Sequence, residues 1–68
     1  MKHLAEYMYK DVEVTTDDGQ VFKGTVESWD CSVTNKEEYG IDETSFDVRR
    51  GGTSVTLYES EIKNIKEL

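Results

Sequence analysis

Val21-Phe22-Lys23-Gly24-Thr25-Val26-Glu27-Ser28-Trp29 decides the fold. In an extended chain successive side chains point to opposite sides, so Phe22, Gly24, Val26 and Ser28 share one face. Glycine in mid-strand weakens a sheet unless it serves a bend or a close approach. A small barrel needs a long second strand, bent hard enough to serve both halves of the sheet, and Gly24 is the expected bend. Upstream, Val12 and Val14 alternate with Glu13 and Thr15, and Thr16-Asp17-Asp18-Gly19 follows. Asp-Gly between two β-prone runs signals a hairpin, because both residues tolerate positive φ.

Downstream, residues 31–43 are polar, weakly patterned and read as a long acidic loop. Ser45-Phe46-Asp47-Val48-Arg49 then alternates, with Phe46 and Val48 inward. Arg50-Gly51-Gly52 is a turn, and Ser54-Val55-Thr56-Leu57-Tyr58 alternates again, with Val55 and Leu57 inward. Glu61-Ile62-Lys63-Asn64-Ile65 closes the chain as a short strand. Ile62 and Ile65 are three apart rather than two, which a 3₁₀ turn entering the strand would explain. At the other end Leu4, Tyr7 and Met8 fall on one face of a short helix over residues 2–9. Such a helix persists only by docking on the sheet. The expectation is one mostly-β domain over residues 1–68, a five-stranded open barrel with a short N-terminal helix; a flat sheet would bury only one face and leave its edges open.

Sixty-eight residues make one domain with a marginal core. Cys31 is the only cysteine, so no internal disulfide staples it, and Cys31 with His3 is too sparse for a structural zinc site. The formal net charge of −7 opposes the approach of DNA and RNA phosphates at long range. Met1-Lys2-His3-Leu4-Ala5-Glu6 lacks an apolar run of signal-peptide length. No stretch approaches the roughly eighteen apolar residues of a membrane span. The expectation is a cytoplasmic protein without membrane partners or cofactors.

This order of elements resembles the Sm-like (LSm) family, a branch of SH3-like barrels. The likeness rests on Asp18-Gly19, Phe22-Lys23-Gly24-Thr25-Val26 and Trp29-Asp30, which match the family's first motif. It rests also on Val55 to Ile65, which looks like the last two strands of the bacterial Sm-like RNA chaperones. A second register treats Arg50-Gly51 as the Arg-Gly of eukaryotic-type Sm proteins, with Thr53 to Tyr58 as the last strand; the first is preferred because it places all apolar positions in strands. The resemblance implies a homo-oligomer joined through edge strands, ring-like in the family, and binding of single-stranded RNA. Two departures weaken the RNA expectation. In the first register the Lys-His pair of the bacterial chaperones falls on Glu59 and Ser60, which replaces donors near a phosphate path with a carboxylate and a hydroxyl. In the second, the base-contacting Asn falls near Asn35, preceded by Thr34, which has no π-face.

Candidate RNA contacts are Asn35, Arg49, Arg50 and Tyr58, each of which also reads as loop solvation or packing. Trp29, Tyr39, Val55, Leu57 and Tyr58 are candidate protein-interface residues, with Trp29 and Tyr58 equally readable as core aromatics. Glu37, Glu38, Asp42 and Glu43 do not match an EF-hand loop and read as a solvated acidic surface. Asp30 reads as a turn or strand-end group. No pattern predicts a catalytic cleft. The sequence therefore favours a non-enzymatic scaffold able to recruit basic proteins, with RNA binding as the alternative.

Overall fold

The computed structural model describes residues 3–68. It is mostly β, with five antiparallel strands in one sheet. A 3₁₀ turn over Leu4–Tyr7 is followed by β1 (Asp11–Thr16), β2 (Val21–Asp30), α1 (Ser32–Tyr39), β3 (Ser45–Arg50) and β4 (Thr53–Tyr58). A second 3₁₀ turn, Glu59–Glu61, leads into β5 (Ile62–Glu67). The strand order β4-β3-β2-β1-β5 places the last two strands at opposite edges. All three runs expected as strands after residue 43 are strands, the last of them covering Ile62 and Ile65.

The long strand β2 organises the sheet. Its first half pairs with β1, from Val21 opposite Thr15 to Thr25 opposite Asp11. Its second half pairs with β3, from Thr25 opposite Arg49 to Asp30 opposite Ser45. Gly24 lies at the handover. A Cβ there would overlap the Arg49 carbonyl oxygen, come within 2.7 Å of its carbon and meet Val48 Cγ1 at 2.9 Å. Only glycine admits the β3 backbone this closely.

The alternation of β2 does not run through unbroken. The register with β3 shifts between Val26 and Ser28. An inserted bulge residue resets the side-chain phase, so Ser28 is exposed rather than inward. Trp29, opposite Phe46, packs against the core instead. A second shift between Thr15 and Thr16 accounts for the spacing of Ile62 and Ile65. Ile65 sits opposite Val14 and Ile62 opposite Thr16, leaving Lys63 as the extra residue. The expected 3₁₀ turn is present, but it precedes β5, and the irregularity inside the strand makes the three-residue step.

The core comprises Leu4, Tyr7, Val12, Val14, Val26, Phe46, Val48, Leu57 and Ile62, flanked by half-buried Met8, Phe22, Trp29, Val55 and Ile65. The N-terminal element is one 3₁₀ turn and not a helix over residues 2–9, of which Lys2 lies outside the described residues. It ends at Met8, whose backbone is extended, and Tyr9 then turns the chain with φ 63°. His3 starts it, its Nδ1 accepting from the Ala5 amide at 3.1 Å while its own amide donates to Glu6 Oε2 at 3.0 Å. Leu4 and Tyr7 dock as expected, with the Tyr7 ring edge-on to Phe46 at 6.4 Å. In the hairpin loop only Gly19 takes positive φ, at 86°; Asp18 instead accepts the Thr16 hydroxyl.

Residues 31–43 are not a continuous loop. Ser32–Tyr39 is helical, ended by Gly40 at φ 73°, whose amide donates to Lys36 O at 3.0 Å. The left-handed glycine satisfies carbonyls that the last turn leaves open. This helix has no apolar stripe, and Asn35 is its one buried side chain.

Replacing Gly24 with alanine is expected to lower stability by about 2 kcal/mol or more, because the added methyl collides with backbone rather than with a movable side chain. Urea unfolding checks this; a wild-type midpoint would show that β3 does not need the close approach.

Candidate functional site

The two edges of the sheet, β4 and β5, differ in character. β4 reads Thr53-Ser54-Val55-Thr56-Leu57-Tyr58 and pairs with β3 without a register shift. It has no charge, no proline and no bulge, the devices that usually blunt an edge. β5 carries Lys63, Lys66 and Glu67 and the irregularity described above. Beside β4 lies a groove floored by Phe22, Val55 and Leu57, with Asp17, Asp18 and Glu61 among its lining, and about 460 Å³ in volume. It shares Phe22 and Val55 with a neighbouring cavity of about 440 Å³, lined also by Lys23 and Arg50.

Asn35 is not on the surface. Its Nδ2 donates to Glu43 O at 2.7 Å, to Ser45 Oγ at 3.0 Å and, at 3.5 Å, to Asp30 O. Two of these partners are carbonyls, which only accept, so the amide nitrogen must face them. With 1% of its surface exposed, Asn35 ties α1 to both the end of β2 and the start of β3. In this position it is a structural tether.

The other candidate RNA residues do not gather around it. Asn35 touches Ser45 at one end of β3, whereas Arg49 and Arg50 close the other end, about 15 Å along the strand. Arg49 Nη1 pairs with Glu27 Oε2 at 3.2 Å and its Nε donates to Gly51 O at 3.0 Å. Both partners of that ion pair are about half exposed, so the contact contributes little to stability. Arg50 borders the 440 Å³ cavity instead. Tyr58 does lie near Asn35: together with Tyr39, Asp30 and Asp47 they line a cavity of about 320 Å³. Asp47 is already engaged, accepting from Ser28 Oγ at 2.7 Å and Thr56 Oγ1 at 2.6 Å.

Of the interface candidates, Leu57 is buried in the chain's own core and offers no surface to a partner. Trp29 is half-buried, with the His3 ring edge-on at 5.2 Å. Val55 is half-buried in the groove, and Tyr39 is exposed at the end of α1. Lys23 and Phe22 carry no site signal in the sequence; the strand pattern places them, but only the fold brings them beside Arg50 and Val55.

The junction between β4 and β5 is acidic. Glu59 and Ser60 are both exposed in the 3₁₀ turn. The Ser60 amide donates to Glu43 Oε1 at 2.9 Å, and the contacts with Ser60 hold the Glu43 carboxyl below its usual range. Asp18 is likewise lowered, by the Thr16 hydroxyl and then the Gln20 amide. Cys31 immediately precedes α1 with its Sγ 3.3 Å from Thr34 Oγ1, and this contact lowers the thiol pKa. Among the described residues no group of three or more His, Cys, Asp or Glu side chains is placed to hold a metal ion, and no helix is long and apolar enough to cross a membrane.

These features define a small antiparallel β domain with one uncharged open edge beside an apolar groove. The chain matches no family model, no curated protein and no solved structure.

Asn35→Ala is expected to cost about 1–3 kcal/mol, since the Glu43 and Asp30 carbonyls lose their donor. Chemical unfolding measures it, and a loss confined to ligand binding at unchanged stability would instead restore Asn35 as a contact residue.

Proposed function

We propose that this chain is a non-enzymatic interaction module of Sm-like build whose copies join edge to edge through β4 and β5. The observation that carries the reading is β4, six residues long, uncharged, regular and unpaired on its outer side. An edge of this kind is a template for another strand. Each chain has one β4 edge and one β5 edge, so pairing β4 of one copy with β5 of the next is head-to-tail. Such contacts close into a ring when the rotation per step divides a full turn. A core that is marginal at this size gains from the association.

The net charge of −7 favours basic proteins as further partners of the assembly. RNA binding through the family's standard positions has no comparable support. Asn35 is consumed by backbone carbonyls, and Glu59 and Ser60 stand where donors would be needed.

Light scattering behind size-exclusion chromatography, at low and high salt, tests the reading. The expected result is a discrete multiple of the 7.8 kDa chain that survives high salt, because strand pairing is not held by screened surface charge. A strict monomer at high concentration overturns it. Co-purifying absorbance near 260 nm would favour RNA binding instead.

A further inference from the structure

Lys23 and Arg50 jointly line two adjoining cavities. The larger, about 440 Å³, is otherwise bounded by Val21, Phe22, Val48, Thr53 and Val55. The smaller, about 290 Å³, includes Asp11 and Leu68. Among the described residues neither Lys23 nor Arg50 has a carboxylate in ion-pair range, whereas Lys10 and Arg49 are each paired. In a chain with fifteen acidic and eight basic side chains, two uncommitted cations on one apolar cavity are a local reversal of charge.

We infer that this cavity binds a small amphiphilic carboxylate, its apolar body on Phe22, Val48 and Val55 and its head group on Arg50 and Lys23. The volume lies within the ordinary range of small-ligand cavities, roughly 300–1,000 Å³. The floor is aliphatic and aromatic, and Val21 beside it is 51% exposed, an apolar surface that a hydrocarbon chain would cover. A guanidinium matches a carboxylate in a bidentate geometry, with the ammonium adding a point charge. The surroundings set the charge of the ligand. Glu13 is the cross-strand neighbour of Lys23, and Asp11 lines the smaller cavity. These carboxylates and the net charge of the chain repel a polyanion, while two cations suffice for one negative group. A monocarboxylate with an apolar body therefore fits, and a nucleic-acid strand does not. The inference does not rest on edge-to-edge assembly, although Thr53 and Val55 of the lining belong to β4.

The test is a titration of the full chain with decanoate, followed by amide and methyl NMR shifts and by calorimetry. Decanol, acetate and a ten-uridine oligonucleotide serve as comparisons. Saturable decanoate shifts centred on Val21, Phe22, Val48 and Val55 are expected, with decanol and acetate each at least about tenfold weaker. Arg50→Gln should weaken decanoate by about tenfold, and Lys23→Gln by a smaller factor; both positions are exposed, and unchanged amide spectra show that the fold survives. Equal binding of decanol and decanoate, shifts scattered over the surface, or indifference to Arg50→Gln would each overturn the site. Binding of the oligonucleotide at these residues in preference to decanoate would also overturn it, in favour of a nucleic-acid surface.

Discussion

The approach of the Arg49 backbone to Gly24 is the constraint on which the sheet depends. β2 pairs with both β1 and β3, and its two halves exchange partners around Thr25. A side chain at Gly24 would hold β3 away from this crossing point. Close approach there and the irregularity at Glu27 let one strand serve two halves, with Phe22 and Val26 facing the core before the shift and Trp29 after it. The remaining elements close the ends: the 3₁₀ turn lays Leu4 and Tyr7 into the core, and α1 is pinned by a single buried amide.

The same geometry produces the surface features. A curled sheet of five strands leaves two edges, and in this chain they are unlike each other. β5 is irregular and charged, which resists indiscriminate pairing; β4 is regular and neutral, which invites it. Curling also brings Phe22 of β2 beside Val55 of β4, so the groove exists only because β2 bends. Acidic side chains collect along one reach of this groove and Lys23 with Arg50 along the other. Charge is therefore distributed unevenly along a continuous apolar floor, a property that a count of Asp, Glu, Lys and Arg conceals.

Much of the fold was legible in the residues. Alternation at Val12–Val14, Phe46–Val48 and Val55–Leu57 located strands, and Gly19 and Gly51 located two turns. The failures share a physical form. Ser28 turns outward, and Ile62 and Ile65 take their three-residue step inside β5 rather than at the 3₁₀ turn before it, because one inserted residue changes the phase of everything after it, and an insertion has no composition of its own. α1 was missed because periodicity detects apolar faces, and this helix is held by Asn35; Gly40, a glycine closing a polar run, was the available sign of its end. In the sequence Asn35 reads as loop solvation or as a candidate RNA contact, because a polar residue in an acidic stretch looks solvated. Its role depends on the carbonyls of Asp30 and Glu43, which are brought together only by the fold. The cavity beside Lys23 and Arg50 was illegible for a similar reason: its lining comes from three strands.

Backbone hydrogen exchange at the two edges tests most directly whether β4 and β5 are the joining surfaces. Amides of Thr53 to Tyr58 and Ile62 to Glu67 would be followed in dilute and in concentrated protein. Edge-to-edge assembly predicts that the outward-facing amides of both strands slow together as concentration rises, while exposed amides in α1 keep their rates. Concentration-independent exchange at both edges, or slowing confined to α1, would contradict it.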